Sequence, residues 1–393
     1  MTARLPFAGV RIVDFTANMS GPLATMVLGD QGADVVKIEP LAGGDAIRHL
    51  GVGVGDVSAY FANLNRSKRS LALDLGRPEA RPVVDALLDW GDVVVHNFRR
   101  AAAERLRLDA EHTRAGRPRL IHVAVDGFGP DGPYAGRPAY DHVIQALAGY
   151  AAKQADRDTG EPALIRNGVV DKATAWTAAQ AISAALYERA ITGLGQALEI
   201  SMLDAAVAFL WPDGMMNQTQ VDTQPDVPDI TGSFRLTPTS DGSISFALVH
   251  ARQWARLLEA FGLVDDERLR GPDGQLQNRG IALREVRRVL GEMATADAVA
   301  LLAKFEIAVA PVLAVEDVAM HEQVVANATV EELDHPMLGR IRQANPAARF
   351  AGRRVGEFRP APSLGEHDDE VLGELGFSAA AIAELRRAGV IRA

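Results

Sequence analysis

The chain has 393 residues, enough for two domains or one large elaborated domain with an ample core. Hydrophobic residues make up 48% and charged residues 23%, an ordinary balance for a globular protein, and the formal net charge of −10 with no basic run argues against nucleic acid as the main partner. There is no cysteine, which excludes disulfides, thiolate nucleophiles and Cys-based metal sites and fits a reducing compartment. No apolar signal core opens the N-terminus and no window approaches 18 unbroken apolar residues, so a cytoplasmic protein is expected.

In chain order, Val10–Phe15 has a strand pattern and Thr16–Pro22 a loop pattern, with Pro22 suited to the first turn of a helix ending near Gly32. Asp34–Glu39 is the next strand. Strand, tight loop, helix and strand within thirty residues predict a βαβ unit of a parallel sheet. The loop is not GxGxxG, so it carries no dinucleotide fingerprint, although Gly21 permits close backbone approach to an anion at the helix start. Residues 43–57 are a glycine-rich loop, and Gly43 and Gly44 fit either a plain flexible turn or a phosphate nest. Arg66, Lys68 and Arg69 place three cations within four positions, ahead of a strand at Leu71–Leu75. A helix follows at Arg77–Trp90, then a buried-type strand at Asp92–His96, a helix at Ala101–Leu106 and a strand at Leu120–Val125. This alternation predicts an α/β, doubly wound, Rossmann-like domain.

Gly127–Gly136 is a Gly/Pro loop and Tyr140–Gly149 a helix. Next comes Asn167–Asp171, a short apolar run ending in a carboxylate where a long Ala-rich helix begins. Asp171 is expected as the helix N-cap, and the positive end of the helix is expected to keep it ionised. An ionised carboxylate can be a nucleophile. A strand at Ala197–Met202 and a helix at Leu203–Trp211 close this part. Residues 217–229 look like a linker. A smaller unit follows, with a strand at Gly242–Leu248, helices at Ala251–Phe261, 282–293 and 296–304, and a strand-like run at Ala308–Leu313. The last fifty residues read as helix and loop, ending in a helix at Ile382–Val390. Trp211 and Trp254 are expected in the core. The nine His residues show no helical metal-ligand spacing, so no metal is expected.

Taken together, Gly9–Phe15, Gly21-Pro22, Gly32–Pro40, Gly44-Asp45, Asn65–Ser70, Asp74-Leu75, Asn97-Phe98, Gly127–Gly129, Tyr140-Asp141, Asp171, Thr192–Gln196 and Asp204-Ala205 resemble, in order and spacing, the class III CoA-transferases. This is the CaiB/BaiF superfamily, which includes formyl-CoA transferase and carnitine CoA-transferase, and the resemblance covers nearly the whole chain. It implies a large Rossmann-like CoA-binding domain over 1–216, a linker over 217–229, a smaller α+β domain over 230–330, and a segment over 331–393 returning to the large domain. It also implies an interlocked homodimer, no permanently bound cofactor, and acyl-CoA with a carboxylic acid as substrates.

The same resemblance makes Asp171 the covalent nucleophile, passing through an aspartyl anhydride and an aspartyl-CoA thioester. It puts Asn18, Met19 and Ser20 beside the thioester, and Leu73, Asn97, Phe98, Arg105 and Tyr140 in contact with CoA. Arg66, Lys68 and Arg69 become candidates for the CoA phosphates, the alternative being a solvated basic turn. Gly168 is a candidate oxyanion donor. Pro138 stands where some relatives place a Lys facing CoA. Two rival readings remain. One is an α-methylacyl-CoA racemase, which needs a His where Tyr140 stands and leaves His142 as the near alternative. The other is a non-catalytic CoA-binding relative. The acyl group itself is not encoded in any motif.

Overall fold

Six strands form one parallel sheet in a computed structural model that describes residues 5–222, 231, 234–269, 271–354 and 358–393. They are β1 (Arg11–Phe15), β2 (Asp34–Glu39), β3 (Lys68–Ala72), β4 (Val93–His96), β5 (Ile121–Asp126) and β6 (Ala197–Ser201). Their order across the sheet is β3-β2-β1-β4-β5-β6, each neighbour parallel. This is a doubly wound Rossmann-like order, reversing direction between β1 and β4. Helices cover both faces, so the strands are continuous apolar runs rather than alternating ones. On one face Val13, Val36, Leu71 and Val94 pack against α3 (Arg81–Trp90) through Val83, Leu87 and Leu88, and against the C-terminal residues Val371 and Leu372. On the other, Ile12, Val35, Val95 and Val123 pack against α1 (Ser20–Asp30) and the long Val169–Thr192 helix. That helix turns Ala175, Ala178, Ala179 and Ala185 to the sheet, and side chains this small let it lie close.

The chain forms two compact units, residues 1–216 with 328–393, and residues 217–327. The linker expected over 217–229 lies outside the described residues from 223 onward. The smaller unit has an antiparallel sheet of Leu236–Pro238, Ser243–Ala247 and Ala308–Pro311, and a core that includes Trp254, Leu257, Val286 and Leu302. In the larger unit, a β-hairpin of Val330–His335 and Gly339–Ala344 stands where no strand was expected. Its strands are mostly polar and lack a clean alternation, so periodicity did not reveal them. The C-terminal segment closes the edge of β3: His367 donates its N–H to Ser70 O at 3.1 Å, and Ala72 N–H donates to Asp368 Oδ1 at 2.8 Å. A covered edge cannot template pairing with another chain.

Three local expectations are corrected. The strand expected at Leu71–Leu75 begins at Lys68, so Lys68 and Arg69 belong to the sheet and not to a turn. Trp211 is 41% exposed on its helix, unlike Trp254, which is core. The Val169–Thr192 helix begins two residues before Asp171, not after it.

A buried ionic layer lies under the carboxyl ends of β1 and β2. Asp14 is fully buried and accepts hydrogen bonds from Lys68 Nζ at 2.9 Å, Thr25 Oγ1 at 2.6 Å and Thr16 Oγ1 at 2.5 Å. Burial pushes its pKa up, but Lys68 and Lys37 overcome that and hold it well below the usual carboxylate range. Lys37, equally buried, donates to Thr16 O at 2.7 Å and Asp45 Oδ2 at 3.0 Å. Arg48 makes a bidentate pair with Glu39 and stacks over the Phe61 ring at 3.7 Å. Removing one member of such a pair strands a charge out of water, at a cost of about 3–5 kcal/mol. Lys68→Met is therefore expected to destabilise the protein by about that amount in urea unfolding, and adding Asp14→Asn to recover a large part of the loss.

Candidate active site

The reversal of strand order between β1 and β4 opens a crevice at their carboxyl ends, where open α/β sheets bind ligands. Two loops meet there, Thr16–Met19 after β1 and Asn97–Arg99 after β4. The Asn97 side chain ties them together: Ala17 N–H donates to Asn97 Oδ1 at 3.0 Å, and Asn97 Nδ2 donates to Ala17 O at 2.7 Å. The first loop is held from two more sides. Lys37 grips Thr16 O, and Asp45 Oδ1 accepts the Asn18 N–H at 3.1 Å. Asn18 has φ of 69°, a left-handed conformation that Asn tolerates better than most residues. So constrained, the loop delivers Met19 and Ser20, both buried, to the start of α1.

Asp171 faces this point from α6 (Val169–Thr192), in that helix's first turn. Its carboxylate accepts hydrogen bonds from the Ser20 hydroxyl and the Ser20 backbone N–H. It thus sits on the open N-terminus of α1, where Met19 provides no side-chain cap. The cap of α6 is a different residue. Asp141, first residue of α5 (Asp141–Leu147), accepts the N–H of Val170 at 2.8 Å and of Asp171 at 2.9 Å through one oxygen, Oδ2. Gln145, one turn further along α5, donates to the other oxygen at 2.5 Å and holds the preceding segment through Ile165 O and Asn167 O, both at 3.2 Å. The expectation that Asp171 itself caps its helix is corrected: the N–H groups of that first turn are already taken by Asp141.

The electrostatic expectation changes with it. Burial first, then the neighbouring Asp141 carboxylate, push the Asp171 carboxyl up to about 6, against the hydrogen bonds from Ser20. At neutral pH it is still ionised, but it is a far stronger base than a solvated aspartate.

Two more groups complete the surroundings. A Cβ on Gly168 would stand 2.7 Å from Met19 Sδ, so a larger residue there would push the Met19 thioether aside. The Tyr60 hydroxyl, on α2 (Ala59–Asn65), donates to Met19 Sδ at 3.4 Å. Burial, followed by Asp171, Asp141 and Asp45, raises the Tyr60 pKa. Neither Tyr60 nor Gln145 was singled out by any motif. A signal was available for the second, since Asp141 and Gln145 at i, i+4 share one face of a helix.

The structure brings Asn18, Met19, Ser20 and Asp171 together, with Asn97 bracing their loop. Tyr140 precedes the capping Asp141, exposed, its ring stacked parallel to that of His142 at 6.3 Å. Arg105 is exposed in the last turn of α4 (Arg100–Leu106) and makes no ion pair among the described residues. Phe98 packs on the core and stacks on His96 at 5.7 Å. Leu73 is 1% exposed in the same core, so its side chain is not open to a ligand.

The basic cluster is neither a phosphate grip nor a solvated turn. Arg66 pairs with Asp30 at 2.8 Å and lies over the Phe358 ring. Lys68 pairs with Asp14. Arg69 pairs with Asp34, Glu370 and Glu374. Each cation is buried against carboxylates of its own chain, which removes it from phosphate binding. Gly43 and Gly44 build no anion nest either: their N–H groups donate to Leu41 O at 3.0 Å and to Pro40 O at 3.1 Å. Among the described residues no group of three or more His, Asp or Glu is placed to hold a metal, and no helix is long and apolar enough to cross a membrane.

Residues 7–368 match the profile of CoA-transferase family III. The chain belongs to that family. As a class III CoA-transferase it takes CoA thioesters as substrates. It is 31% identical to the succinyl-CoA:glutarate CoA-transferase of Mus musculus, covering 98% of this chain and 90% of that one. It is 28% identical to the formyl-CoA:oxalate CoA-transferase of Escherichia coli O157:H7, covering 97% and 98%. Among solved structures it resembles a CAIB/BAIF family protein from Brucella suis at 28% identity and a TM-score of 0.81, covering 95% of this chain and 100% of that one. It also resembles a hypothetical protein from Mycobacterium tuberculosis at 29% identity and a TM-score of 0.80, covering 93% and 99%.

If attack by the Asp171 carboxylate limits the rate, kcat/KM for the acyl-CoA donor should rise with pH through about 6 and level off above it. Asp141→Asn removes the like charge while keeping an oxygen for the Val170 and Asp171 N–H groups. It is expected to move that acid limb down by roughly half to one pH unit, measured as the pH profile of initial rates.

Proposed function

We propose that the transferase works through covalent catalysis on Asp171. The observation carrying this reading is the seat of the Asp171 carboxylate: mostly buried, bonded to Ser20 at the start of α1, and raised in basicity by Asp141. The carboxylate attacks the thioester carbonyl, and the tetrahedral adduct expels CoA thiolate to leave a mixed aspartyl–acyl anhydride. The thiolate attacks the aspartyl carbonyl of that anhydride. The donor acid leaves as its carboxylate, and CoA is then held on Asp171 as a thioester. The acceptor carboxylate attacks this thioester carbonyl, expels CoA thiolate and forms a second anhydride. Thiolate attack on the acceptor's acyl carbonyl gives the new acyl-CoA and frees the Asp171 carboxylate. No step passes the activated acyl group to water, and each is reversible.

Asn18, Met19 and Ser20 line the thioester in this reading. Asn97 positions their loop, and Phe98, Tyr140 and Arg105 face CoA. The phosphate role of Arg66, Lys68 and Arg69 is not part of it, for the pairing reasons given above. A racemase needs a second base beside Asp171. Tyr140 stands where its His would be, and both oxygens of Asp141 are already bonded to Val170, Asp171 and Gln145. The active form is read as a homodimer. What supports this is the exposed apolar surface of α6 and α7 (Met202–Gly214), with Trp176, Tyr187, Ile191, Phe209 and Trp211.

Trapping tests the reading. With a panel of acyl-CoA esters, the Asp171 peptide is expected to gain a hydroxylamine-sensitive adduct seen by mass spectrometry, and Asp171→Ala to abolish both adduct and transfer. Exchange of the α-hydrogen with solvent deuterium, without an adduct, would instead establish racemase chemistry.

A further inference from the structure

We propose that His96 and His122, both buried, are positioning residues for CoA, because together they hold the segment 97–108 that follows β4. The proposal rests on the reading that Asn97, Phe98 and Arg105 of this segment serve the CoA side of the site.

Both rings are 3% exposed, on the same face of the sheet as Val13, Val36 and Val94. His122 stands opposite Val94 across the β4–β5 ladder, which sets its ring diagonally beside that of His96, with centroids 5.0 Å apart. Their Nε2 atoms are 3.1 Å apart, a hydrogen-bond distance. Burial holds both rings below the ordinary His range, His96 down to about 3, so both are neutral at pH 7. From this pair two contacts run to the chain. His96 Nδ1 accepts the Phe98 N–H at 3.3 Å, and its ring stacks on the Phe98 ring at 5.7 Å, which shapes the turn that presents Asn97 to Ala17. His122 Nε2 lies 3.0 Å from Leu108 O, just beyond the end of α4. The pair therefore braces the segment at both ends, with α4 and Arg105 between them.

Keeping two polar rings dry is costly, so apolar residues would serve better here if filling space were the only requirement. Each neutral imidazole carries one N–H. With the hydrogen of His96 on Nε2, the Phe98 and His122 contacts are made. With the hydrogen of His122 on Nε2, the His96 and Leu108 contacts are made. The bond between the rings is common to both arrangements, so losing His122 loosens the segment in either. His122→Gln escapes the choice, since an amide oxygen can accept from His96 Nε2 while the amide NH2 donates to Leu108 O.

The test measures CoA affinity of the full chain by isothermal titration calorimetry, with urea unfolding alongside. His122→Leu, which keeps bulk and removes both ring nitrogens, is expected to weaken CoA binding about tenfold, and His122→Gln to stay within about threefold of the unmodified chain. Rescue by glutamine distinguishes hydrogen bonding from the filling of space. If His122→Leu does not fold, His122→Asn carries the same expectation, its amide being a methylene too short to reach His96. Equal losses in His122→Leu and His122→Gln would overturn the inference. Asn97→Ala separates it from the reading beneath. Loss of affinity in Asn97→Ala with none in His122→Leu overturns the positioning role alone. Unchanged affinity in both removes the CoA role of the segment, and the inference with it.

Discussion

The site depends on one carboxylate that positions another. Asp141 Oδ2 accepts two N–H groups at the start of α6 and fixes where the backbone that carries Asp171 begins. Its charge then acts on the side chain it has positioned. A helix start would otherwise favour an ionised, weakly basic carboxylate. With a second anion close by and much of its water removed, Asp171 becomes a better base and a better nucleophile while remaining ionised near neutrality. Gln145 keeps Asp141 in place and secures the residues leading into the helix, so positioning and tuning share a single hydrogen-bonded unit.

The opposite wall of the crevice is built on the same logic with different groups. Asp14, Lys37 and Lys68 form a dry ionic layer, and above it the loop after β1 is gripped by Lys37, Asp45 and Asn97. Loops at a topological switch point must be open to ligand, and an open loop is ordinarily mobile. Here the loop is held at Thr16, Ala17 and Asn18, and Ser20 reaches Asp171 as a fixed donor. Two helix N-termini, those of α1 and α6, therefore meet on a pair of carboxylates.

Much of this architecture was legible in the sequence. The six strands stood out because a parallel sheet covered on both faces writes itself as unbroken apolar runs, as in Val93–Val95. Asp171 stood out because a lone carboxylate ends such a run just where an Ala-rich helix begins. What failed was whatever depended on partners distant in the chain. Lys68 reads as a surface charge until Asp14, 54 residues earlier, lies beside it, and Arg69 until Glu370 does. Asp171 reads as its own cap until Asp141, 30 residues upstream, supplies one. The hairpin after residue 329 escaped because its strands are polar, and Trp211 because an apolar helix face does not say what covers it.

The central claim is that Asp171 exchanges its own oxygen during each cycle. In the proposed sequence the bridging oxygen of the second anhydride comes from the acceptor acid, and it stays on Asp171 when CoA thiolate takes the acyl group. The direct measurement is turnover with an acceptor acid labelled with oxygen-18, followed by peptide mass spectrometry of the enzyme. The account predicts heavy oxygen in the Asp171 side chain and in no other carboxylate, Asp141 included. Formation of the new thioester with no label at Asp171 would contradict it.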